Sequence, residues 1–353
     1  MKSRFILQLY LWLGYLLAVP LSFHSAPGST VTKQFTHEWK ISLDSLTVCL
    51  DGRDLMDVFW PGFFMETELS QHVVVTDTYR NTQFGRPHAL DRDFGCCTQE
   101  LDIILGSDEW LVDWGRHHGL VGRSDLEFST VHFRLVDGAY TKAFEREDDP
   151  LGKEVLGGLT EDMDLRMLVP GDAVAVGDSW DIDLATLPDL FSPGGYFAWD
   201  LDLNGEALLV REMLDPTLMG DLRAVLAGSL EGEATVTYAS ESNGRALLEL
   251  EIDILARSDA YDLTVLVAKI LGDESSWWSL DLEYLEIQLE LAATGTALWD
   301  TRAGHIDSLE LGGEVSSRME FVLFVGIDHS LRVEVATELS AEFEQHIDVL
   351  QAD

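Results

Sequence analysis

Alternating oxygen-bearing side chains near residue 200 are the pattern with the most direct chemical meaning. Asp200, Asp202 and Asn204 stand at every second position, and Gly205 follows them. Calcium-binding loops supply their first oxygen ligands with this spacing, but they also need a bidentate glutamate at the twelfth position, where this chain has Arg211. The same residues fit a hairpin strand with one solvated acidic face. We therefore predict a hairpin and keep a Ca²⁺ site on these three residues as the alternative.

A serine that could act as a nucleophile lies in the stretch Gly177-Asp178-Ser179-Trp180. The stretch resembles the GDS block of a family of lipases and esterases with a serine nucleophile. That resemblance implies a block near the mature N-terminus and a later histidine base, with an aspartate three residues before it. Here the block lies mid-chain, and none of the ten histidines has an aspartate at that spacing. We predict instead a turn that enters a strand, with Ser179 beyond the reach of any histidine and Trp180 in the core.

Two adjacent tryptophans, Trp277 and Trp278, follow a polar run and precede an alternating stretch. Aromatic side chains at a hairpin tip can bind a glycan, a lipid surface or a partner protein, and they can also fold back over the end of a barrel. We single them out as candidate ligand-binding residues. His117 and His118 are the only adjacent histidines, and we predict for them a surface loop rather than a metal site.

Three cysteines, Cys49, Cys96 and Cys97, lack the CxxC spacing of zinc sites and thioredoxin-type chemistry. An exported chain meets an oxidising compartment, so we predict a disulfide between Cys49 and either Cys96 or Cys97. A vicinal Cys96–Cys97 disulfide and three reduced thiols are the alternatives that the sequence leaves open.

The chain has 353 residues and a formal net charge of −40, from 63 acidic and 23 basic side chains. Such a charge repels nucleic acid and anionic membrane surfaces, so neither is expected as a partner. Lysine is scarce, with six lysines against seventeen arginines. Acid excess with little lysine is typical of salt-adapted proteins, but a soluble acidic secreted protein fits the composition as well.

The N-terminus has the three parts of a secretory signal. Lys2 and Arg4 precede the apolar run Phe5–Leu21, and small residues follow at 26–28. We predict cleavage after Gly28, export to the periplasm or the extracellular space, and a mature chain without a transmembrane span. An uncleaved anchor is the alternative, although the apolar run is at the lower limit of spanning length.

Alternation of apolar and polar side chains dominates the C-terminal third of the chain. Leu285, Ile287 and Leu289 alternate with polar residues, and the same period of two recurs over residues 248–254 and 331–335. This period places apolar residues on one face of a strand and acids on the other. The sequence therefore predicts a mainly β fold, an antiparallel meander that forms an open barrel or a strongly curved sheet, with two or three short helices.

Four regions follow from these patterns. They are a signal peptide at residues 1–28, a β-rich region at 29–125, hairpins with short helices at 126–227, and a long-strand meander at 228–353. The last two are predicted to form one domain. Within them, Asp137-Gly138 predicts a two-residue turn, residues 84–97 are predicted as a loop, and residues 161–168 as a helix.

No residue set in the sequence identifies a reaction. Carboxylates are abundant, but only their separation in space decides whether two of them form a catalytic pair. The leading hypothesis is an exported, non-enzymatic β protein that binds an unknown ligand or envelope partner, with no cofactor. The alternative is a secreted hydrolase of glycans or esters, and a structural component of the cell envelope is a third interpretation.

Overall fold

A computed structural model describes residues 19–56, 62–106, 116–145, 152–197, 199–201, 229–258, 279–326 and 331–352. Its helical elements are short: the α-helices α1 (Gly152–Gly157) and α2 (Leu187–Phe191), and 3-10 turns at Arg166–Leu168 and Leu184–Thr186. The strands are β1 (Val19–Pro20), β2 (Thr30–Leu50), β3 (Arg53–Asp54), β4 (Phe64–Gln83), β5 (Arg86–Gly106), β6 (Arg116–Ser124), β7 (Thr130–Val136), β8 (Ala139–Phe144), β9 (Ala173–Val174), β10 (Ser179–Asp181), β11 (Trp199–Leu201), β12 (Ser229–Ser242), β13 (Arg245–Ser258), β14 (Ser279–Asp300), β15 (His305–Gly326) and β16 (Leu331–Ala352).

One antiparallel sheet of 14 strands dominates the described part of the chain. Its main order is β10-β12-β13-β14-β15-β16-β2-β4-β5-β6-β11, with β3 beside β2 and the β7–β8 hairpin beside β5. The described strands form an open sheet, so of the two predicted forms the strongly curved sheet is confirmed. Pairing of β16 with β2 joins the N-terminal and C-terminal regions in this one sheet.

The two faces of the sheet differ as the alternation predicts. Along β2, Val31, Phe35 and Ile41 are buried, whereas Glu38 and Lys40, between them in the sequence, are exposed. We call the buried side the inner face and the other side the outer face. The inner face forms most of the hydrophobic core, because successive strands present their apolar phase to the same side.

Tight turns connect several neighbouring strands, and one of them corrects the sequence analysis. Asp137 and Gly138 have φ angles of 52° and 87°, so the predicted turn between β7 and β8 is confirmed. Phe84 and Gly85 have φ angles of 52° and 74° and connect β4 to β5 in the same way. The loop predicted over residues 84–97 is therefore wrong. Phenylalanine is unusual in a left-handed conformation, and the charges of β5 concealed its strand character.

The helix predicted over residues 161–168 is also wrong, because a 3-10 turn forms there instead. Leu165 has a φ angle of 50°, in the left-handed region that an α-helix cannot include. The Asp162 side chain accepts hydrogen bonds from the backbone N–H groups of Asp164 at 3.0 Å and Arg166 at 3.1 Å. These bonds stabilise a turn, an alternative that aspartate often offers to the backbone. No described helix is long and apolar enough to cross a membrane.

Residues 152–197, which we call the covering segment, cross the inner face from edge to edge. The segment forms the edge strand β10, which pairs with β12, and it leads into β11, which pairs with β6 at the opposite edge. The ten interstrand steps between these edges span about 48 Å along the sheet. The partly helical chain from Asp181, the last residue of β10, to Trp199, the first residue of β11, reaches about 47–50 Å with its other residues fully extended. It would span a flat sheet only at full extension, so the connection favours a curved sheet.

Residues 19–25 also contribute to the core beside the covering segment. Leu21 has no exposed surface and Phe23 is 3% exposed. The ring of Phe23 contacts Tyr79 edge-on, with centroids 5.5 Å apart, and lies under the guanidinium of Arg166. Cleavage after Gly28 stays a prediction, but it would remove both of these buried side chains from the fold. Their burial favours a cleavage point before Leu21.

If the predicted signal peptide is cleaved, we expect the mature protein to retain residues 21–28. Intact-mass measurement of the mature chain locates its first residue directly. As a stability test, Phe23→Ala should lower the free energy of unfolding by about 3–5 kcal/mol, the range for deletion of a large buried aromatic. A mature chain that begins at Ser29 and is as stable as a chain retaining residues 21–28 would contradict this expectation.

Candidate functional site

The structure describes only part of the residues that the sequence singled out. Asp200 lies in β11, where its cross-strand partner is Arg123. Asp202 and Asn204 lie outside the described residues, and so do Trp277 and Trp278. Within the described ranges, no group of three or more His, Cys, Asp or Glu side chains could hold a metal ion. Calcium binding and the ligand-binding role of the two tryptophans therefore stay predictions.

The predicted disulfide is not formed: Cys49, Cys96 and Cys97 are all free thiols. Cys97 pairs with Val73, which pairs with Phe35 of β2. Cys49 lies 14 residues beyond Phe35, about 46 Å along the same strand, whereas a disulfide needs Cα atoms within about 7 Å. Cys96 is half-buried and its sulfur lies 3.9 Å from His72 Nδ1. Burial raises the pKa of Cys97 to about 12, so this thiol is a poor nucleophile at neutral pH.

The serine of the Gly-Asp-Ser-Trp stretch is a turn and strand residue, as the sequence analysis expected. Ser179 is exposed on the edge strand β10, and its hydroxyl lies 2.9 Å from the Thr237 hydroxyl. Among the described residues, the Ser179 hydroxyl thus has the Thr237 hydroxyl as its hydrogen-bonding partner and not a histidine imidazole. Trp180 is half-buried and packs against the core.

His117 and His118 lie in strand β6, so the prediction of a surface loop is wrong. His117 pairs with Ile103 of β5. The glycines around the two histidines suggested a turn, but β6 continues through Gly119 and Gly122 because it is held by the long strand beside it.

Four charged side chains are buried together on the inner face, where β2, β4 and β5 meet the covering segment. Lys33, Asp77 and Arg92 have no exposed side-chain surface, and the side chain of Asp164 is 4% exposed. Two cations and two anions cancel, so these residues carry no net formal charge. Together with the buried Tyr79 between them, we call them the buried ion cluster.

Each charge of the cluster is matched by close contacts. Lys33 Nζ lies 3.0 Å from Asp77 Oδ2 and 2.9 Å from Asp164 Oδ1. Arg92 donates to both carboxylate oxygens of Asp77, from Nε at 2.7 Å and from Nη2 at 3.0 Å. The Tyr79 hydroxyl accepts from Lys33 Nζ at 2.8 Å and donates to Asp164 Oδ2 at 2.5 Å. Charge-assisted and bidentate bonds of this kind are the strong ones in proteins.

The cluster fixes the protonation states of its members. Burial alone would raise the pKa of Asp77, but the neighbouring charges of Arg92 and Lys33 hold its pKa below 3.8. Burial, together with the charges of Asp164 and Asp77, raises the pKa of Tyr79 well above 10. At neutral pH the tyrosine therefore keeps its proton and Asp77 is ionised, as the hydrogen-bonding pattern requires.

The cluster also attaches the covering segment to the sheet. Arg92 donates to the backbone carbonyls of Thr160 at 3.0 Å and Glu161 at 2.8 Å. Asp164 belongs to the same segment and contacts Lys33 and Tyr79 of the sheet. Removal of one partner would leave an unmatched charge in the interior, so the segment is held at a defined position.

Sequence reasoning missed this cluster, although the sequence carries a signal for it. Each of the three sheet residues occupies the apolar phase of its strand, where a charge has to be paired. The triplets are Val31-Lys33-Phe35, Val75-Asp77-Tyr79 and Leu90-Arg92-Phe94. The signal was hidden at Arg92 because the stretch 84–97 was interpreted as a loop.

A second polar feature crosses the inner face farther along the same strands. Gln345, His37, Gln71 and Gln99 are successive cross-strand partners on β16, β2, β4 and β5, and we call them the polar row. Gln345, His37 and Gln99 are at most 4% exposed. Among the described residues, His37 Nε2, Gln99 Oε1 and Gln345 Oε1 have no hydrogen-bonding partner. Buried polar atoms without partners are rare and point to an absent water or ligand.

Helix α2 contacts the central strands at this row and just beyond it, toward the far strand ends. Phe191 contacts Phe343 edge-on, with centroids 5.6 Å apart, and Phe343 lies 5.0 Å from the ring of Trp39. Gln345 Nε2 donates to the backbone carbonyl of Leu190 at 2.8 Å. The polar row therefore marks the place where the covering segment rests on β2 and β16.

Beyond the polar row the inner face continues as an apolar surface to the far strand ends. On β2, β15 and β16 its side chains become half-buried past Ile41, Val315 and Phe343, which are at most 8% exposed, whereas Leu285 and Ile287 of β14 stay buried at 6%. The six half-buried apolar residues, which we call the open end, are Leu46, Val48, Met319, Phe321, Val333 and Val335. Cross-strand pairing of Val48 with Val335, and of Val335 with Phe321, makes this surface continuous.

A groove of about 660 Å³ crosses the outer face from β2 to β13. Small side chains form its floor and longer charged ones its walls: Ser42, Ala292, Ser316 and Ser340, with Lys40, Asp253, Glu290, Glu314 and Glu342. Glu314 and Glu342 are cross-strand partners, close enough for the paired carboxylates of a glycosidase. All four carboxylates are exposed, however, whereas a catalytic acid is typically held in an apolar pocket. The described lining also includes no aromatic side chain.

Comparisons with known proteins assign the chain to no family. No protein-family model matches the chain, and no curated protein matches it. A solved structure concerned with lipid–protein interactions in lipovitellin is similar over 94% of this chain, at 7% identity and a TM-score of 0.26. The similar region spans about a quarter of that protein, 26% of its chain. At this TM-score the likeness carries no argument about fold or function.

The buried ion cluster gives a prediction about stability. Asp77→Asn removes one anion and leaves Lys33 and Arg92 with a single carboxylate between them. We expect it to lower the free energy of unfolding by about 3–5 kcal/mol, the range for breaking a buried ion pair from one side. The matched control is Glu320→Gln, which breaks the exposed pair with Arg318 and should cost about 0–1 kcal/mol. Urea unfolding at pH 7 measures both variants.

The same variant should show a defined pH dependence. Because the pKa of Asp77 is lower in the folded state, its ionisation stabilises the fold fully above its unfolded pKa of about 3.9. That contribution is lost as the pH falls through the folded value. The stability difference between wild type and Asp77→Asn should thus be constant from pH 5 to 8 and shrink below about pH 4. A difference that vanishes already near pH 6 would contradict the assignment of charges in the cluster.

Proposed function

We propose that this protein is an exported, non-enzymatic β protein that binds an apolar or amphipathic small molecule at the open end of its inner face. One observation carries the proposal: the apolar inner face extends past the covering segment to strand ends where its side chains are half-buried. These side chains keep part of their surface accessible, and apolar surface that stays accessible over adjacent strands is typical of a binding site. Ligand sites are typically concave and apolar, with a few polar groups that orient the ligand.

The charge distribution supports a neutral ligand. The net charge of −40 disfavours the approach of anions, and the open end has no charged side chain on the inner face, where Thr337 is the polar residue between Leu46 and Met319. Exposed acids such as Glu338 and Glu342 on the outer face keep the large sheet soluble, and bulk salt would screen their mutual repulsion. We therefore retain export and salt adaptation as parts of the proposal.

The two tryptophans of the sequence analysis are neighbours of this surface along the chain. Trp277 and Trp278 immediately precede Ser279, the first residue of β14, which pairs with Gly326 of β15. This pair lies toward the far strand ends, beyond the paired residues Leu285 and Phe321. Their sequence position is compatible with a contribution to ligand binding.

A hydrolase is the weaker proposal. The groove on the outer face brings carboxylates together, but all of them are exposed. The Gly-Asp-Ser-Trp serine contacts a threonine hydroxyl, and among the described residues no base that could activate it forms a hydrogen bond with it. No described constellation favours catalysis over binding.

Binding can be tested with Nile red, a neutral apolar dye whose fluorescence increases in an apolar environment. We expect the full-length exported protein to bind the dye and Val335→Ser to weaken binding about fivefold, the factor for ~1 kcal/mol of lost apolar contact. Fluorescence titration at pH 7 in 0.5 M NaCl gives both dissociation constants. Salt at this concentration screens the acidic faces.

Val322→Ser is a matched control, since Val322 is also a half-buried valine but lies on the outer face, opposite Glu334 of β16. It should leave the affinity for the dye within about twofold of wild type. Equal weakening by both variants, or no binding by the wild type, would sink the proposal. Melting temperatures of the three proteins separate a loss of binding from a loss of fold.

A further inference from the structure

Two hairpins end side by side at one end of the sheet, one turning between β4 and β5 and the other between β7 and β8. Ala89 of β5 lies opposite Arg134 of β7. Continuing this register places the two turns at the same level, because each lies a few residues beyond the pair. We call the two hairpin ends, residues 78–91 and 130–144, the paired tips.

The paired tips are basic, whereas the chain as a whole is strongly acidic. Their formal charge is +2, so the other residues together carry −42, which gives the total of −40. Arg86 is exposed, and the side chains of Arg80 and Arg134 are 59% and 41% exposed. The tips therefore present a local positive surface on a protein that otherwise repels anions. The charged residues counted here are Arg80, Arg86, Arg134 and Lys142, against Asp91 and Asp137.

Asp91 positions two of these arginines. Its carboxylate lies 2.6 Å from Arg80 Nε and 2.8 Å from Arg134 Nη2. Burial alone would raise the pKa of Asp91, but hydrogen bonds from the two arginines and one imidazole lower it to about 2. One carboxylate thus fixes two guanidinium groups that still face solvent, and an excess of positive charge remains at the tips.

An exposed aromatic side chain stands at the end of the first tip. Phe84 is 95% exposed, and Val136 beside the turn of the second tip is 50% exposed. The φ angle of Phe84 is 52°, in the left-handed region that a residue with a Cβ atom disfavours. Packing does not account for a phenylalanine held in this conformation without contacts to a core, and strained backbone of this kind is common at functional sites.

We propose that the paired tips attach the protein to an anionic lipid surface, with the Phe84 ring inserted at the level of the headgroups and the exposed arginines against the lipid phosphates. Aromatic rings enter the boundary between headgroups and acyl chains because their apolar surface leaves water there. Arginines beside an anionic leaflet add an attraction that falls off within a Debye length. The attachment is independent of the proposed ligand, because Thr78 pairs with Thr30 at the start of β2, whereas Val48 of the open end lies near the end of that strand.

Net charge alone predicts repulsion from anionic membranes, but most of that charge lies far from the tips. Glu342 of the outer groove pairs with Lys40, ten residues along β2 from Thr30 and therefore about 33 Å from the level of the tips. The Debye length is about 8 Å at physiological ionic strength and shorter in more salt. Asp93 is the next acid along β5, and it lies on the side of the tips away from the turns. The acidity of the whole chain thus does not prevent contact through the tips.

The size of the tips favours a lipid surface over an acidic protein as the partner. Four adjacent strands are about 15 Å wide, whereas a stable protein–protein interface buries about 800 Å² on each partner. One exposed phenylalanine and one half-exposed valine supply little of that area. A lipid surface needs no complementary groove and accepts a single inserted ring.

Sedimentation with vesicles tests this attachment, using equal parts of phosphatidylglycerol and phosphatidylcholine, or phosphatidylcholine alone, in ~0.1 M NaCl. We expect the mature protein to bind the mixed vesicles more tightly than the neutral ones. Phe84→Ser should weaken binding to the mixed vesicles about tenfold, because an apolar ring no longer leaves water. Arg86→Gln should weaken it about fivefold, the factor for one arginine beside an anionic leaflet.

Phe128→Ser is the matched control, since Phe128 is also 82% exposed and also has a positive φ angle, 65°, but lies in the β6–β7 turn beside Glu127. It should bind within about twofold of wild type. All variants share one N-terminus, so the apolar run at 5–21 cannot cause a difference between them. Both phenylalanines are exposed, so circular dichroism should show unchanged folds.

Absence of vesicle binding by the wild type, or equal weakening by Phe84→Ser and Phe128→Ser, would overturn the proposal. Binding to soluble poly-glutamate that depends on Arg86, without binding to vesicles, would overturn it in favour of an acidic protein partner. Each of these outcomes leaves the binding of Nile red at the open end unaffected.

Discussion

The contact between the buried ion cluster and the covering segment is the interaction on which the rest of the structure depends. The path across the described sheet is 11 strands wide, and open sheets of this size curl, split or flatten unless other contacts fix one shape. Lys33, Asp77 and Arg92 join three neighbouring strands of the sheet to Asp164 of the covering segment. The two positive and two negative charges of the cluster sum to zero. Displacement of any one of these side chains would leave an unmatched charge in the interior, so the cluster resists rearrangement.

Fixing the covering segment at this point divides the inner face into two functional parts. Under the segment, residues such as Phe35 and Phe343 are packed as an ordinary core. Past Ile41 of β2 and Phe343 of β16, the same strands present apolar side chains that are only half-buried. The stabilising part and the ligand-binding part thus lie on the same strands, and the boundary between them lies beyond the polar row.

Much of the architecture could be predicted from the sequence because period-two alternation is a local signal. Residues 285–289 indicated a long strand, and Asp137-Gly138 indicated a turn of defined geometry. The errors arose where distant residues decide the local structure. The charges of β5 suggested a loop, but Arg92 lies in a strand because Asp77 on the neighbouring strand is its buried partner. The cysteine pairing depended on strand register, which the sequence does not reveal. Neither the ion cluster nor the polar row could be assembled from one sequence, since their members come from strands far apart in the chain.

A crystal structure of the protein grown with 1-tetradecanol tests the central claim most directly. The account predicts density for the alkyl chain over Leu339 and Val335 at the open end, with the covering segment in place. Density in the outer groove beside Glu314, or an inner face closed at its far end by protein side chains with no ligand, would contradict the account.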